Sequence, residues 1–168
     1  MPKIVLKEKT LKSKIIFSGK AVSFRIDTVE LPNGKRVPRE YMDHPGAVAI
    51  LPVLKNGNIV LVKQYRHPVG KITYEVPAGK LHGKEDSFLK RGKAELKEET
   101  GYTAKNFEFL VSFWPTPAFS NETLKIYLAK NLRNGRAKPD EDEFLNVVEV
   151  PRKEVVKMIR SGRIKDSK

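Results

Sequence analysis

The sequence predicts an α/β fold: a mixed sheet covered by two helices and preceded by an antiparallel strand region. Three observations carry this. Short runs alternating apolar and polar residues fill positions 3 to 31, the pattern of half-buried strands. A nearly continuous apolar run, GAVAILPVL, begins at Gly46, as in a strand covered on both faces. Two amphipathic stretches of helical period follow, one closing at Gly101 and one running from Pro151 to Gly162, with strand-like runs between them. At 168 residues the chain has room for one domain with a real core plus an arm.

In chain order, KIVLKEKTL, SKIIFSG and AVSFRIDTVEL read as strands, and Asn33-Gly34 makes a hairpin turn that returns through KRVPREYM. Pro38 has no amide hydrogen to donate, so the return is an edge strand or carries a bulge. Residues 1–43 hold too little apolar mass to fold alone. They are expected to pack on the main domain or on a second subunit, which makes a homodimer the expected assembly. The texture changes at Asp43-His44-Pro45-Gly46, and residues 44–168 are read as the main domain. Asn56-Gly57 turns the apolar run into NIVLVKQYRHPV, a strand with a basic end, and ITYEVPAG delivers the chain to a loop before the first helix. Asp86 or Ser87 can accept the orphan amide hydrogens at that helix start, and Gly101 closes its end. NFEFLVSFWPTPAFSNETLKIYLAKNL then reads as two strands around a proline-rich loop, Pro115 to Ser120. RNGRAKPDEDE is a long polar loop of the kind that often carries function, and FLNVVEV is the last strand. Pro151 opens the final helix, in which Val155, Val156 and Ile159 are expected to bury one face before Gly162 stops it.

Lys and Arg number 33 against 20 Asp and Glu, a formal charge of +13. Such a chain can hold nucleic acid, attract small polyanions, or be Lys-rich as many hyperthermophile proteins are. The lysines are spread along the whole chain without a basic-aromatic array, which argues against a nucleic-acid partner. Neither a long apolar run nor a signal-peptide pattern is present, so no membrane partner is expected. The lack of cysteine excludes disulfides and thiolate metal sites and fits a cytoplasmic protein. His44, His67 and His82 are too scattered to make a zinc site.

On the first helix, Glu95, Glu98 and Glu99 fall within one arc of about a hundred degrees. Leu89, Gly92 and Leu96 share the adjacent arc, so an apolar seam lies beside an acidic one. The like-charge pair Glu95 and Glu99 costs a few tenths of a kcal/mol in an isolated helix. In a chain so rich in cations, three carboxylates on one face call for a reason, and a hard divalent cation such as Mg²⁺ supplies one. The plain alternative is a solvated helix face. The surrounding spacing tips the balance. AGKLHGKEDSFLKRGKAELKEETGY resembles the Nudix box, G-x5-E-x7-R-E-U-x-E-E-x-G-U with U apolar. Gly79, Glu85, Glu95, Leu96, Glu98, Glu99, Gly101 and Tyr102 match it by type. Between Gly79 and Glu95 there is one residue more than the pattern allows. Either the loop HGKED carries an insertion and Asp86 takes the first acidic position, or Glu85 takes it and the helix starts late; counting back from Glu98 favours Asp86. The family arginine position holds Ala94. Of the nearby cations, only Arg91 lies angularly close to Glu95 and Glu98, and it is expected to assume part of the missing role, while Lys93 faces away.

REYMDHPGAVAILPV, VKQYRHPVG, YEVPAGK and the later acidic loop look like the ADP-ribose pyrophosphatase branch, over roughly residues 20 to 165. The resemblance implies a Nudix-like α/β/α sandwich, and Mg²⁺-dependent hydrolysis of ADP-ribose to AMP and ribose 5-phosphate, with Mn²⁺ as an alternative ion. It implies Glu95, Glu98, Glu99, Glu143 and the Ala78 carbonyl as metal ligands. Glu98 and Glu99 would act in catalysis together with Glu141 and Glu143, one of the loop pair orienting the attacking water. Arg66 would grip the diphosphate, a task suited to a guanidinium fork. Arg39 and Glu40 would reach the nucleotide across the dimer, and Phe24 or Phe17 would stack on adenine. Each has a plainer reading: a strand-end charge for Arg66, an edge-strand pair for Arg39 and Glu40, a flexible acidic loop for Glu141 and Glu143, and core packing for Phe24. Two functional alternatives stay open. One is another Nudix substrate, such as a dinucleoside polyphosphate, nucleotide sugar or capped RNA. The other is a non-catalytic Nudix-fold module that binds nucleotide or RNA.

Overall fold

The computed structural model describes residues 6–83 and 85–168. The run read as the first strand begins at Lys3, outside them, and so does Lys84 of the box loop. The described chain forms two compact units: one of the residues up to His44 with Trp114–Glu122, the other of Pro45–Phe113 with Thr123–Lys168.

The first unit holds an antiparallel sheet of β1 (Lys9–Ser18), β2 (Ser23–Glu30) and β3 (Arg36–Asp43), in that order. The last three residues of the first run, Lys9 to Leu11, and the second run belong to one strand. Register shifts between Thr10 and Lys12 and between Ile15 and Phe17 interrupt the alternation that made them look separate. The Asn33-Gly34 turn forms as expected, with the Gly34 amide donating to the Leu31 carbonyl at 2.9 Å. Pro38 pairs in register with Thr28 on β3, a strand with one neighbour, where a missing donor can face outward. The proline-rich loop belongs to this unit: the Met42 amide donates to the Phe119 carbonyl at 2.8 Å, and Asn121 Nδ2 to Asp43 Oδ1 at 2.7 Å.

The second unit contains β4 (Ala47–Pro52), β5 (Asn58–Arg66), β6 (Lys71–Glu75), β7 (Ala78–Lys80), α1 (Phe88–Thr100), β8 (Thr103–Phe113), β9 (Leu124–Arg133), β10 (Leu145–Pro151) and α2 (Arg152–Arg160). A mixed sheet runs β7-β4-β9-β8, with β4 and β9 parallel. An antiparallel sheet runs β10-β5-β6, and a single bridge from Val53 to Ile59 links the two. The division into two sheets is not visible in the alternation of the sequence.

Strand alternation builds a core on each side. Val48 and Ile50 of β4, Val60 of β5 and Ala129 of β9 pack with Leu96 of α1. Their chain neighbours Ala49, Ile59 and Leu61 point the other way and pack with Leu124 and with Val155 of α2. This is why GAVAILPVL is apolar at successive positions: both of its faces are covered. Burial of Leu96 alone removes a side chain worth about 2 kcal/mol from water.

Ser87, not Asp86, caps α1, its Oγ accepting from the Lys90 amide at 3.4 Å, while the Asp86 carboxylate accepts from the His82 amide at 3.2 Å. Gly101 ends the helix in the left-handed region, its amide donating to the Lys97 carbonyl. A Cβ at Gly92 would sit 2.7 Å from Ile50 Cδ1, so glycine lets α1 lie close upon β4. The expected face of α2 is corrected. Val155 and Met158 are buried, whereas Val156 and Ile159 are 38% and 55% exposed. The helix follows β10 without a loop, and that join sets its rotation. Among the described residues no helix is long and apolar enough to cross a membrane.

Candidate active site

The buried stripe of α1 consists of Gly92, Glu95, Leu96, Glu99 and Thr100, a helical i, i+3, i+4, i+7, i+8 set. Two glutamates thus lie within the stripe that packs on the sheets, and not only beside it. Glu98, one position away, is 45% exposed. The strand β7 faces these acids. The Ala78 amide hydrogen-bonds the Glu99 carboxylate, and a Cβ at Gly79 would collide with Glu95 Oε1. A side chain at position 79 would therefore displace the Glu95 carboxylate from the place it occupies.

Burial raises the pKa of Glu95; Arg91 opposes the rise, and Glu98 and Glu143 add to it. Glu99 is pushed up to about 8, by burial first and then by the charges of Glu95 and Glu143, against the pull of the Ala78 amide and Arg66. Glu99 Oε2 is buried without a hydrogen-bond partner among the described residues. An orphaned carboxylate oxygen among acids whose burial disfavours their charge fits a hard cation, which supplies both the missing ligand contact and the missing charge. As the side chains stand, no three acidic or histidine groups among the described residues converge at ligand spacing. Glu95 Oε1 lies instead 2.5 Å from Arg91 Nη2, and Glu98 Oε2 lies 3.7 Å from Arg91 Nη1.

Arg66 ends β5 and is gripped by Glu75 of β6 through two contacts, Nε to Oε1 at 2.8 Å and Nη2 to Oε2 at 2.5 Å. The register of the hairpin places both on one face, with Thr73 between them donating to the Glu75 carboxylate. Lys168 Nζ stands 2.9 Å from Glu75 Oε2. Burial raises the Glu75 pKa, but Arg66, Lys168 and Thr73 outweigh it and hold the group at about 2. Arg66 keeps 41% of its side chain exposed and lies near enough to Glu99 for each to affect the other's pKa. Glu75 was missed from sequence. The available signal was an acid in YEVPAG on the same hairpin face as Arg66.

The long polar loop is tied to the end of α1 by the Lys138 amide, which donates to the Glu98 carbonyl at 2.9 Å. Glu143, half-buried, comes near enough to raise both Glu95 and Glu99, while Glu141 is exposed. Arg39, Glu40 and Phe24 lie in the first unit. Arg39 is held by Glu8, with Nε to Oε2 at 3.0 Å and Nη2 to Oε1 at 2.5 Å. Glu40 is exposed, and Phe24 and Phe17 pair in register with about half of each ring side chain open, so neither is a core residue.

A family model described as the NUDIX domain matches residues 43–166. The chain belongs to the Nudix family. The box helix of this Nudix pyrophosphohydrolase is α1, and its glycine turn is β7. Among curated proteins it is 43% identical over 166 residues to the methanol dehydrogenase activator of Bacillus methanolicus, covering 98% of this chain and 89% of that protein. It is 42% identical over 166 residues to the ADP-ribose pyrophosphatase of Bacillus subtilis (strain 168), covering 97% and 89%. The ADP-ribose pyrophosphatase of Mycobacterium tuberculosis (strain ATCC 25618 / H37Rv) is 38% identical over 135 residues, covering 80% of this chain and 65% of that protein. Among solved structures, one titled as an ADP compounds hydrolase superposes with a TM-score of 0.80 over 95% of this chain and 86% of that one. At 22% identity that likeness is one of fold.

Proposed function

We propose that this Nudix hydrolase cleaves ADP-ribose at its diphosphate to give AMP and ribose 5-phosphate, with Mg²⁺ as the working ion and Mn²⁺ as an alternative. The observation that carries the reading is Glu99, a buried carboxylate with an orphaned oxygen on the box helix, within electrostatic reach of Arg66. Glu95, Glu98, Glu99 and Glu143, with the Ala78 carbonyl, are the groups that would hold the metal. When bound, the ion neutralises diphosphate charge and acidifies water. Arg66 presents its guanidinium to the phosphate oxygens, with Glu75 fixing the plane of the fork. Water adds to one phosphorus while the bridging P–O bond breaks, and the water proton passes to a loop carboxylate. Glu143 is better placed for this than Glu141, being half-buried and electrostatically linked to Glu95 and Glu99. The substrate assignment is supported by the relatives named as ADP-ribose pyrophosphatases.

The same reading makes the first unit the dimerising part, with Arg39, Glu40 and Phe24 reaching a nucleotide held by the partner subunit. Support comes from β1, whose ten residues are all exposed although Ile15, Ile16 and Phe17 are apolar.

The test is incubation of purified protein with ADP-ribose, a dinucleoside polyphosphate, a nucleotide sugar and capped RNA, with Mg²⁺ or with chelator, and products read by chromatography. The fastest turnover is expected with ADP-ribose, abolished by chelator. Preference for another diphosphate moves the substrate assignment, and turnover of none with tight RNA binding moves the protein to a binding module.

A further inference from the structure

The box arginine of the family pattern is Ala94 here, and alanine cannot hold a carboxylate. One turn upstream, Arg91 reaches along the helix face and touches two. Its Nη2 is 2.5 Å from Glu95 Oε1 and its Nη1 3.7 Å from Glu98 Oε2, at i+4 and i+7. The side chain is only 21% exposed and its Nε is buried, so the guanidinium is packed against the acids and not waving in solvent. The same oxygen, Glu95 Oε1, lies in the space left by the missing Cβ of Gly79. Its carboxylate is therefore held between a strand backbone and a guanidinium. Lys93, the other nearby cation, is engaged elsewhere, with Nζ 5.1 Å from the centre of the Phe107 ring.

We infer that Arg91 is the positioning residue of the acidic cluster, supplying from one turn upstream the guanidinium that the box pattern carries at the position of Ala94. The inference rests on the Nudix-hydrolase reading of the site. Three like charges on one helix face repel, and a guanidinium set between two of them opposes that repulsion. A fork that bridges Glu95 and Glu98 fixes their separation, so a metal would meet a preset pair. A lysine offers a point charge and no such bridge.

The experiment compares full-length wild type with R91A, R91Q, K93A and the double variant R91A/A94R. Mn²⁺ affinity is measured without substrate by electron paramagnetic resonance of the free ion, and the Mg²⁺ dependence of ADP-ribose turnover is measured in parallel. R91A is expected to weaken Mn²⁺ binding about tenfold and to raise the half-saturating Mg²⁺ concentration similarly, the usual size of a lost supporting contact. R91Q, which keeps the stem as far as Cδ and a polar end but not the guanidinium or its charge, serves if R91A does not fold and should lose as much. K93A should match wild type, and A94R should restore most of the affinity in the R91A background. Wild-type affinity and rate in R91A or R91Q, or equal losses in K93A, overturn the proposal. So does a folded double variant that recovers nothing, and so does a wild type that binds no Mn²⁺. If wild type binds Mn²⁺ but leaves ADP-ribose intact, the substrate reading fails while the titrations still decide on Arg91.

Discussion

Glu75 and Glu99 are both removed from solvent, yet Glu75 faces Arg66 and Lys168 whereas Glu99 faces Glu95 and Glu143. The stability each contributes therefore depends on pH in opposite ways. Glu75 titrates at about 2 when folded against 4.5 ordinarily, so its contribution is complete above about pH 4.5 and is lost as pH falls toward 2. At ~1.4 kcal/mol per pKa unit this amounts to roughly 3 kcal/mol. Denaturant melts across that acid window should show a shallower pH slope for Glu75→Gln than for wild type; parallel slopes contradict the assignment. Glu99 titrates at about 8, so the folded metal-free protein holds a proton that the unfolded chain releases from about pH 4.5 upward. Its contribution is present below that value and falls away as pH rises to about 8. Glu99→Gln should flatten this loss in thermal melts under chelator, while lowering turnover at saturating Mg²⁺ by orders of magnitude. Near wild-type rates would remove Glu99 from the ligand set.

The two helices differ in how much of each is readable. For α1 a cap at Asp86 or Ser87 and the glycine stop follow from adjacent residues, and Ser87 is the one that caps; of the seam, Gly92 and Leu96 are buried and Leu89 only partly so. That Glu95 and Glu99 sit within the buried stripe was hidden, because hydropathy assigns carboxylates to solvent. For α2 the expected face of Val155, Val156 and Ile159 does not form, and the join at Pro151 turns Val155 and Met158 inward instead. Met158→Ala should cost about 2–4 kcal/mol in urea denaturation. Ile159→Ala should stay within about 0.5 kcal/mol, as for an open surface position. Comparable costs for the two would mean that Ile159 is covered in solution.

The first unit presents an apolar surface to solvent. Ile15 and Ile16 are neighbours and both about half exposed, so β1 is open on its two faces at once. Phe17 and Phe24 extend the patch across the β1–β2 ladder. A second copy of the chain is the proposed cover. Light scattering on the eluting protein at micromolar concentration should give twice the mass of 19.1 kDa. Phe17→Asp should shift it to the monomer, since a charge in a buried apolar contact is costly. A wild-type monomer with full activity would remove both the dimer and the role of Arg39 across it.

Turns at Asn33-Gly34 and Asn56-Gly57, the glycine stop of α1, the two-faced apolar strand and the acidic helix motif were legible in the sequence itself. Each depends on residues adjacent or a turn apart, where backbone geometry leaves few alternatives. Other features were settled only by tertiary structure. The Glu75 clasp on Arg66 crosses a hairpin, and Glu143 reaches α1 through a loop anchored at Lys138. The fit of Glu95 against Gly79 joins a helix to a strand, and the Trp114–Glu122 loop joins a unit formed by residues seventy and more positions earlier. Such contacts depend on how distant segments pack, and apart from the hairpin parity that aligns Glu75 with Arg66, spacing along the chain carries no trace of that. The pKa values follow the same division: residue types supplied the charges, and burial with long-range neighbours decided which carboxylate titrates at about 2 and which at about 8.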